Sequence, residues 1–248
     1  MILSRAQVLF LSLASALALF GFAWPLTFPS FGSGDSAASG LMAIAAVSVV
    51  AVALLFALDR GFVGARALAL LGGIAALASA TRIATAGVAG FELVFLFVIL
   101  GGVAYGPKFG FLLGALTITL SSLFFGGFGP WTAFQIFAVG WVGLGAGLIG
   151  RLQLRGNLKL VATAVYAVVS SYLFGLVMNL WFWPFAVGPT TSISFEQGAP
   201  LGQNLTSFLL YTLTTSTLTW DSVRAIALAV AILAIGKPVL AVLARAKL

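Results

Sequence analysis

The side chains that most often perform covalent chemistry are scarce in this sequence. Among its 248 residues there is no Cys and no His, and only five are Asp or Glu. The absence of His removes the commonest general base and the commonest metal ligand. A phosphate-binding loop would need G-x-x-x-x-G-K-[ST], and the nearest candidate, Gly236-Lys237-Pro238, does not qualify. We therefore predict no catalytic residue, no bound metal, no cofactor and no enzyme activity.

Polar and aromatic side chains instead recur near the ends of the long apolar runs. Asp221 and Arg224 are three residues apart and therefore share a helix face. A charge near the membrane interior is costly and usually faces a cavity or a partner. One interpretation is that Arg82–Glu92 and Asp221–Arg224 form structural ion pairs, and that the Trp residues belong to an interfacial aromatic belt.

The other interpretation is an outward-facing substrate pocket with aromatic walls and a few polar groups that orient the ligand. Aromatic side chains supply a large contact area, and amides orient the polar edges of a ligand. The predicted substrate-binding residues are Arg82, Glu92, Trp131, Gln135, Asn179, Trp181, Trp220, Asp221 and Arg224.

Membrane-spanning helices must position these residues. The chain is 62% hydrophobic and 7% charged, whereas roughly a quarter of the residues of a soluble domain are charged. Only helices and closed barrels satisfy their backbones in lipid, and this chain has long apolar runs rather than short alternating strands. We predict an all-α integral membrane protein, a polytopic bundle of about eight transmembrane helices. The segments are Val8–Trp24, Leu41–Leu58, Ala67–Thr85, Phe91–Ala104, Phe109–Phe125, Trp131–Ile149, Leu160–Trp183 and Trp220–Leu243.

Three points of this layout stay open. Phe91–Ala104 is short for a full span, so the helix is expected to be tilted or broken. The stretch Asn204–Thr219 either extends the last helix or forms a separate helix over the outer face. If the first segment is cleaved as a signal peptide, seven helices remain.

Cations mark alternate connections between the segments. Ten of the twelve Lys and Arg residues fall on one side, whereas Arg82 and Arg224 lie near helix ends on the other. Because Lys and Arg favour cytoplasmic loops, both termini are predicted to be cytoplasmic. Loop anchoring then explains the net charge of +7, and no nucleic acid partner is expected.

Small residues at four-residue spacing predict close helix packing, since lipid provides no hydrophobic drive for helices to associate. Most of these series are expected to pack inside the bundle. One opens a helix on the cytoplasmic side, where a partner subunit could dock. The internal series are Gly106, Gly110, Gly114 and Gly143, Gly147, and the cytoplasmic one is Ala65, Ala69, Gly73.

Several longer stretches together resemble a known family. The sequence is similar to the substrate-binding S components of energy-coupling factor (ECF) transporters, of the actinobacterial type. The stretches are Phe97–Phe111 (FVILGGVAYGPKFGF), Gly126–Gly150 (GGFGPWTAFQIFAVGWVGLGAGLIG), Gly175–Phe185 (GLVMNLWFWPF), Thr219–Arg224 (TWDSVR) and Gly236–Leu240 (GKPVL).

The resemblance implies a six-helix substrate-binding core at residues 61–248, with an additional pair of transmembrane helices at residues 1–60. It implies a multi-pass protein of the bacterial inner (cytoplasmic) membrane that binds a vitamin or vitamin precursor from outside. It also implies one transmembrane coupling subunit and two ATPase subunits as partners. The residues expected to touch the coupling subunit are Ala65, Ala69, Gly72, Gly73 and Ala76. The ligand that the resemblance implies is cobalamin or a fragment of it, such as its lower-ligand nucleoside.

Two other functions stay open. In an ion-coupled secondary carrier, Glu92 or Asp221 would carry a proton or pair with a cation. A non-transporting membrane scaffold would bind lipid and protein but no small molecule.

Overall fold

The described part of the chain is helical throughout its regular structure. The computed structural model describes residues 5–27, 64–86, 88 and 90–246. The predicted segment Leu41–Leu58 lies outside the described residues, as does most of the proposed N-terminal pair at 1–60. The helices are α1 Arg5–Phe22, α2 Trp24–Thr27, α3 Ala65–Ala84, α4 Val94–Tyr105, α5 Pro107–Phe124, α6 Pro130–Arg151, α7 Gly156–Ala186, α8 Leu201–Thr212, the π-helix Leu213–Asp221 and α9 Ser222–Arg245.

The predicted helical membrane bundle is confirmed. Six helical stretches among the described residues are long and apolar enough to cross a membrane, and the shorter apolar helix Val94–Tyr105 joins them. These seven correspond to the seven predicted segments that the structure describes. Arg66, Lys108, Arg151, Arg155 and Arg245 all lie at the end of the bundle where α3 and α5 begin and α6 and α9 end. We call this the basic end and the opposite one the cavity end.

Helix α4 forms the centre of the bundle. Ten of its twelve residues are buried, and it packs against α3, α5, α6, α7 and α9. A helix that is apolar on every side is stable only when it is surrounded, which explains this placement. At 1.5 Å per residue it is about 18 Å long, shorter than the hydrocarbon core of about 30 Å. The fourth predicted segment is therefore one short helix that is not broken, and its tilt stays a prediction.

The predicted internal glycine series holds α5 against α6. A methyl group built on Gly110 would collide with the carbonyl oxygen of Gly143, and one on Gly143 would collide with that of Gly110. Gly106 connects α4 to α5 with a φ of 96°, a conformation that L side chains rarely adopt. The next residue, Pro107, begins α5 at a position where its missing N–H costs nothing. Small residues thus bring these backbones together as predicted.

The C-terminal helical stretch is longer than the membrane is thick. Residues Leu201–Arg245 form one stretch of 45 residues, so Asn204–Thr219 extends the last helix rather than forming a separate one. At 1.5 Å per residue the stretch measures roughly 67 Å, about twice the hydrocarbon thickness. Within it, Leu213–Asp221 is a π-helix, a form that is found mostly as short bulges and often at functional sites.

Helix α1 packs on the outside of the core. It contacts α6 and α7, with Leu11, Ala14, Ala18 and Phe22 buried at the contact. Ser15 accepts a hydrogen bond of 2.9 Å from Nε1 of Trp141 on α6. The described part of the N-terminal region is therefore fixed to α6 and α7.

Candidate functional site

A cavity of about 230 Å³ opens at the cavity end of the bundle. Its wall is formed by the last residues of α3, the loop before α4, the first turn of α4, the second and third turns of α6, parts of α5 and α7, and the end of the π-helix. Of the nine predicted substrate-binding residues, it brings together Arg82, Glu92, Gln135 and Trp220. The remaining lining residues are mostly apolar, and they are Thr85, Ala86, Val88, Val94, Phe95, Ile118, Phe125, Val139, Phe174 and Met178.

Arg82 is oriented by two neighbouring helices. Its Nη1 donates to Oγ of Ser121 on α5 at 2.7 Å, and its Nη2 donates to Oε1 of Gln135 on α6 at 3.2 Å. Ser121 in turn donates to the carbonyl oxygen of Ile118 at 3.1 Å. A guanidinium has five N–H donors in a planar fork, so these two contacts fix its plane and leave donors for a ligand.

Arg224 ties the cavity wall to the long C-terminal stretch. It forms ion pairs with Asp221 at 2.9 Å and with Glu92 at 2.5 Å. It also donates to the carbonyl oxygen of Ser171 at 3.0 Å, and its guanidinium lies over the ring of Phe174 at 4.9 Å from the centroid. Asp221 and Arg224 are 1% and 4% exposed, and a buried charge is tolerated only with such partners.

The two predicted ion pairs have different outcomes. The Asp221–Arg224 pair is present, and Ser216 donates to the second carboxylate oxygen of Asp221 at 2.9 Å. The Arg82–Glu92 pair is not formed, because Glu92 binds Arg224 and Arg82 binds Ser121 and Gln135. Arg82 is therefore positioned by neutral groups beside the cavity.

Two glycines allow close approach around this network. A methyl group on Gly175 of α7 would overlap the carboxylate of Asp221. A methyl group on Gly90 would lie 2.5 Å from the backbone oxygen of Trp220, and the φ of Gly90 is +70°. The loop before α4 therefore rests directly on the end of the π-helix, beside the cavity.

Five predicted binding residues do not line the cavity: Asp221 and Arg224, which form the ion pairs beside it, and Trp131, Asn179 and Trp181. Trp131 is 40% exposed in the first turn of α6, with its ring against Gly129. Asn179 donates to Oγ1 of Thr212 at 2.6 Å, which joins α7 to α8. Trp181 is buried against Phe134, and their ring centroids are 4.8 Å apart. It belongs to the same apolar cluster as the buried residues of α1. A contact of these five with a ligand stays a prediction.

Several lining residues were not identified from the sequence. Phe95, Phe125 and Phe174 supply the aromatic wall, and Ser121 orients Arg82. The chain holds 22 Phe residues, most of them inside apolar helices. Periodicity does not separate a phenylalanine that lines a cavity from one that fills the core, so no sequence signal indicated these positions.

The predicted partner-contact residues share one face of α3. Ala65, Ala69, Gly73 and Ala76 are exposed and Gly72 is half-buried. A methyl group built on Gly72 or Gly73 would meet nothing within 4 Å. We call these five residues the small-residue strip. Its neighbours Leu68 and Leu77 are also exposed, so the surface around the strip is apolar.

Comparison with known proteins gives one match. The sequence model of the family described as "ECF transporter, substrate-specific component" matches residues 67–236, about two thirds of the 248-residue chain. No curated protein and no solved structure gives a significant match.

Proposed function

Because the chain belongs to the family of ECF transporter substrate-specific components, we propose that it binds a small molecule from outside the cell and delivers it inward with a separate ATPase module. Under the positive-inside rule the basic end faces the cytoplasm of a bacterial cell, so the cavity end faces outward. The ligand then enters the cavity from the outer side of the cytoplasmic membrane.

One observation carries this proposal. Arg82, Glu92, Gln135 and Trp220 are separated along the chain by as many as 138 positions, yet they line one cavity. A pocket with apolar walls and a few convergent polar groups is the usual form of a small-molecule site. Arg82 and Gln135 supply directional donors and acceptors, and Trp220 supplies an aromatic face.

We propose that partner subunits supply the energy for uphill import. The sequence has no phosphate-binding loop. We propose that a transmembrane coupling subunit docks on the small-residue strip and connects this chain to two ATPase subunits. Small residues permit close approach of a partner helix in lipid, and α1 packs on α6 and α7 rather than on the strip.

We propose a cobalamin fragment, such as its lower-ligand nucleoside, as the ligand. The cobalamin assignment rests on the family resemblance of the sequence. The cavity of about 230 Å³ is below the roughly 300–1,000 Å³ of pockets for drug-sized ligands, which favours a fragment over the intact molecule.

Mass spectrometry of the gently purified protein tests the function directly. We expect one small molecule to be released on denaturation, and then saturable binding of the same compound by the emptied protein. A titration panel of cobalamin, its lower-ligand nucleoside, riboflavin, thiamine, biotin, folate and pantothenate tests the ligand class. Tight binding of another vitamin would refute the cobalamin assignment alone. Binding of no small molecule under any condition would refute the transport function.

A further inference from the structure

A second, larger concavity lies on the outside of the bundle. It measures about 560 Å³ and runs between α1 and α6, with Pro107 of α5 at one end. Its α1 wall includes Val8, Ser12 and Leu19, and its α6 wall runs from Trp141 to Arg151. We call it the α1–α6 groove. It is separate from the cavity, with which it shares no lining residue.

The height of this groove matches one leaflet of a bilayer. From Val8 to Leu19, and from Trp141 to Arg151, each wall rises about 15 Å at 1.5 Å per residue. This is half the hydrocarbon thickness of about 30 Å. Trp141 stands at the middle of α6 and Arg151 at its basic end. The groove therefore covers the half of the membrane nearest the basic end.

The interior of the groove suits an apolar occupant. Half of its ten lining residues are Leu or Val, and Leu148 and Leu19 are about half exposed along its rim. The indole N–H of Trp141 is already satisfied by Ser15. An occupant therefore contacts aliphatic surface, and the Trp141 N–H does not need a hydrogen bond from it.

The basic end of the groove suits a negative charge. Arg151 is an exposed lining residue there. Arg155 lies in the connection to α7, and Lys159 lies in the first turn of α7. Lys159 donates to the carbonyl oxygen of Gly150 at 3.2 Å, which keeps its ammonium beside the end of α6. The described acids lie away from this end. Glu92 and Asp221 are at the cavity end, and so is Glu196, whose backbone N–H donates to Asn204 of α8. Anionic lipid headgroups are attracted to clusters of this kind.

We propose that the α1–α6 groove binds one acyl chain of an anionic phospholipid from the inner leaflet, with the lipid phosphate at Arg151. The length of the groove, its aliphatic walls and the cations at its end each fit one part of that molecule. The lipid would complete the contact between the N-terminal helix and the substrate-binding core.

Native mass spectrometry of the full chain tests the proposal with matched variants. The protein is purified from vesicles of equal parts phosphatidylcholine and phosphatidylglycerol, and the retained lipids are counted. Ser12→Phe fills the groove, and Leu13→Phe is its control at the next position of the same turn, which is exposed and does not line the groove. Arg151→Gln removes the phosphate contact, and Lys237→Gln is its control, because Lys237 is an exposed cation of α9 that does not line the groove.

We expect wild type and both controls to retain one phosphatidylglycerol in preference to phosphatidylcholine. Ser12→Phe should lose it, and Arg151→Gln should retain it about five-fold less, the effect of one cation near a headgroup. Equal retention of the two lipids, or unchanged retention by Ser12→Phe, would overturn the proposal.

Thiol reactivity supplies a second measurement that does not depend on filling the groove. The chain has no native Cys, so Ser12→Cys and Leu13→Cys each carry a single thiol. Removal of lipid by detergent should raise the alkylation rate of Ser12→Cys relative to Leu13→Cys. If Ser12→Cys remains protected in lipid-free protein, a protein segment or a second copy covers the groove and the proposal is wrong.

Discussion

Glu92 accepts a hydrogen bond of 2.5 Å from Nε of Arg224, although the two residues are 132 positions apart. The contact joins the loop before α4 to the first turn of α9 at the edge of the cavity. Arg224 also binds Asp221, whose carboxylate lies against Gly175 of α7. Loop, π-helix and two transmembrane helices thus meet at one buried guanidinium, and the space at Gly175 is a condition for that arrangement.

Substitution of Gly175 by Ala should destabilise the protein. The added methyl group would displace the carboxylate of Asp221, and overpacking of this kind typically costs about 1–3 kcal/mol. Thermal unfolding in detergent should show a melting temperature lower by several degrees. Gly72→Ala is the control, because a methyl group there meets nothing within 4 Å and Ala favours a helix. Equal melting of the two variants would contradict the packing argument.

Replacement of Gln135 by Ala should weaken ligand binding. The change removes the amide that accepts from Arg82 and lines the cavity, and a lost buried partner costs about 1–3 kcal/mol, roughly tenfold or more in affinity. Asn179→Ala should also weaken binding, but less, since the Asn179 amide bonds Thr212. Isothermal titration with the co-purified ligand measures both. Wild-type affinity in both variants would place the ligand elsewhere.

Trp181→Phe and Trp183→Phe should differ in stability. The Nε1 of Trp181 is buried and has no hydrogen-bond partner among the described residues, whereas that of Trp183 donates to the carbonyl oxygen of Ile193 at 2.7 Å. Trp183→Phe leaves a buried carbonyl without its hydrogen bond, whereas Trp181→Phe removes an N–H that made none. The loss of unfolding free energy should therefore be about 1 kcal/mol larger for Trp183→Phe. Chemical or thermal unfolding should therefore rank Trp183→Phe as the less stable. The ligand affinity of Trp181→Phe also tests the predicted contact with Trp181.

Ala69→Trp should abolish uptake by the assembled transporter while ligand binding stays near wild type. Ala69 is exposed on the small-residue strip, and an indole there would keep a partner helix at a distance. Ile226→Trp on α9 is the control, because Ile226 is 65% exposed and lies outside the strip. Uptake by vesicles that contain all subunits is the measurement. Normal uptake by Ala69→Trp would show that the strip faces lipid only.

Single-cysteine labelling tests the orientation of the bundle. Ser194 is buried and bonded to Gly188, so the exposed Ser192 is the better position in the same loop. A membrane-impermeant maleimide should label Ser192→Cys from outside intact cells and should not label Arg155→Cys. The reverse pattern would invert the topology, and the cavity would then face inward.

Much of the architecture is predictable from the sequence. Long apolar runs in lipid permit little besides helices, because every backbone N–H and C=O must be satisfied within the segment. This local requirement explains why each of the seven described segments is a helix. The four-residue spacing of small residues separately predicts the close contact of α5 and α6 at their glycines. The alternation of helices and loops also predicts that Arg82, Glu92, Gln135 and Trp220 lie toward the same side of the bundle, where they line one cavity.

The tertiary structure alone decided which of these groups touch. Glu92 is nearer to Arg82 in sequence, yet it binds Arg224, and Trp181 packs toward α1 while Gln135 faces the cavity. A partner across the bundle depends on the rotation and crossing of each helix, which small residues such as Gly110, Gly143 and Gly175 set by allowing backbones or a carboxylate to approach. Hydrophobicity in sequence reports only that a side chain leaves water, and the packing of neighbouring helices determines which other side chain it meets.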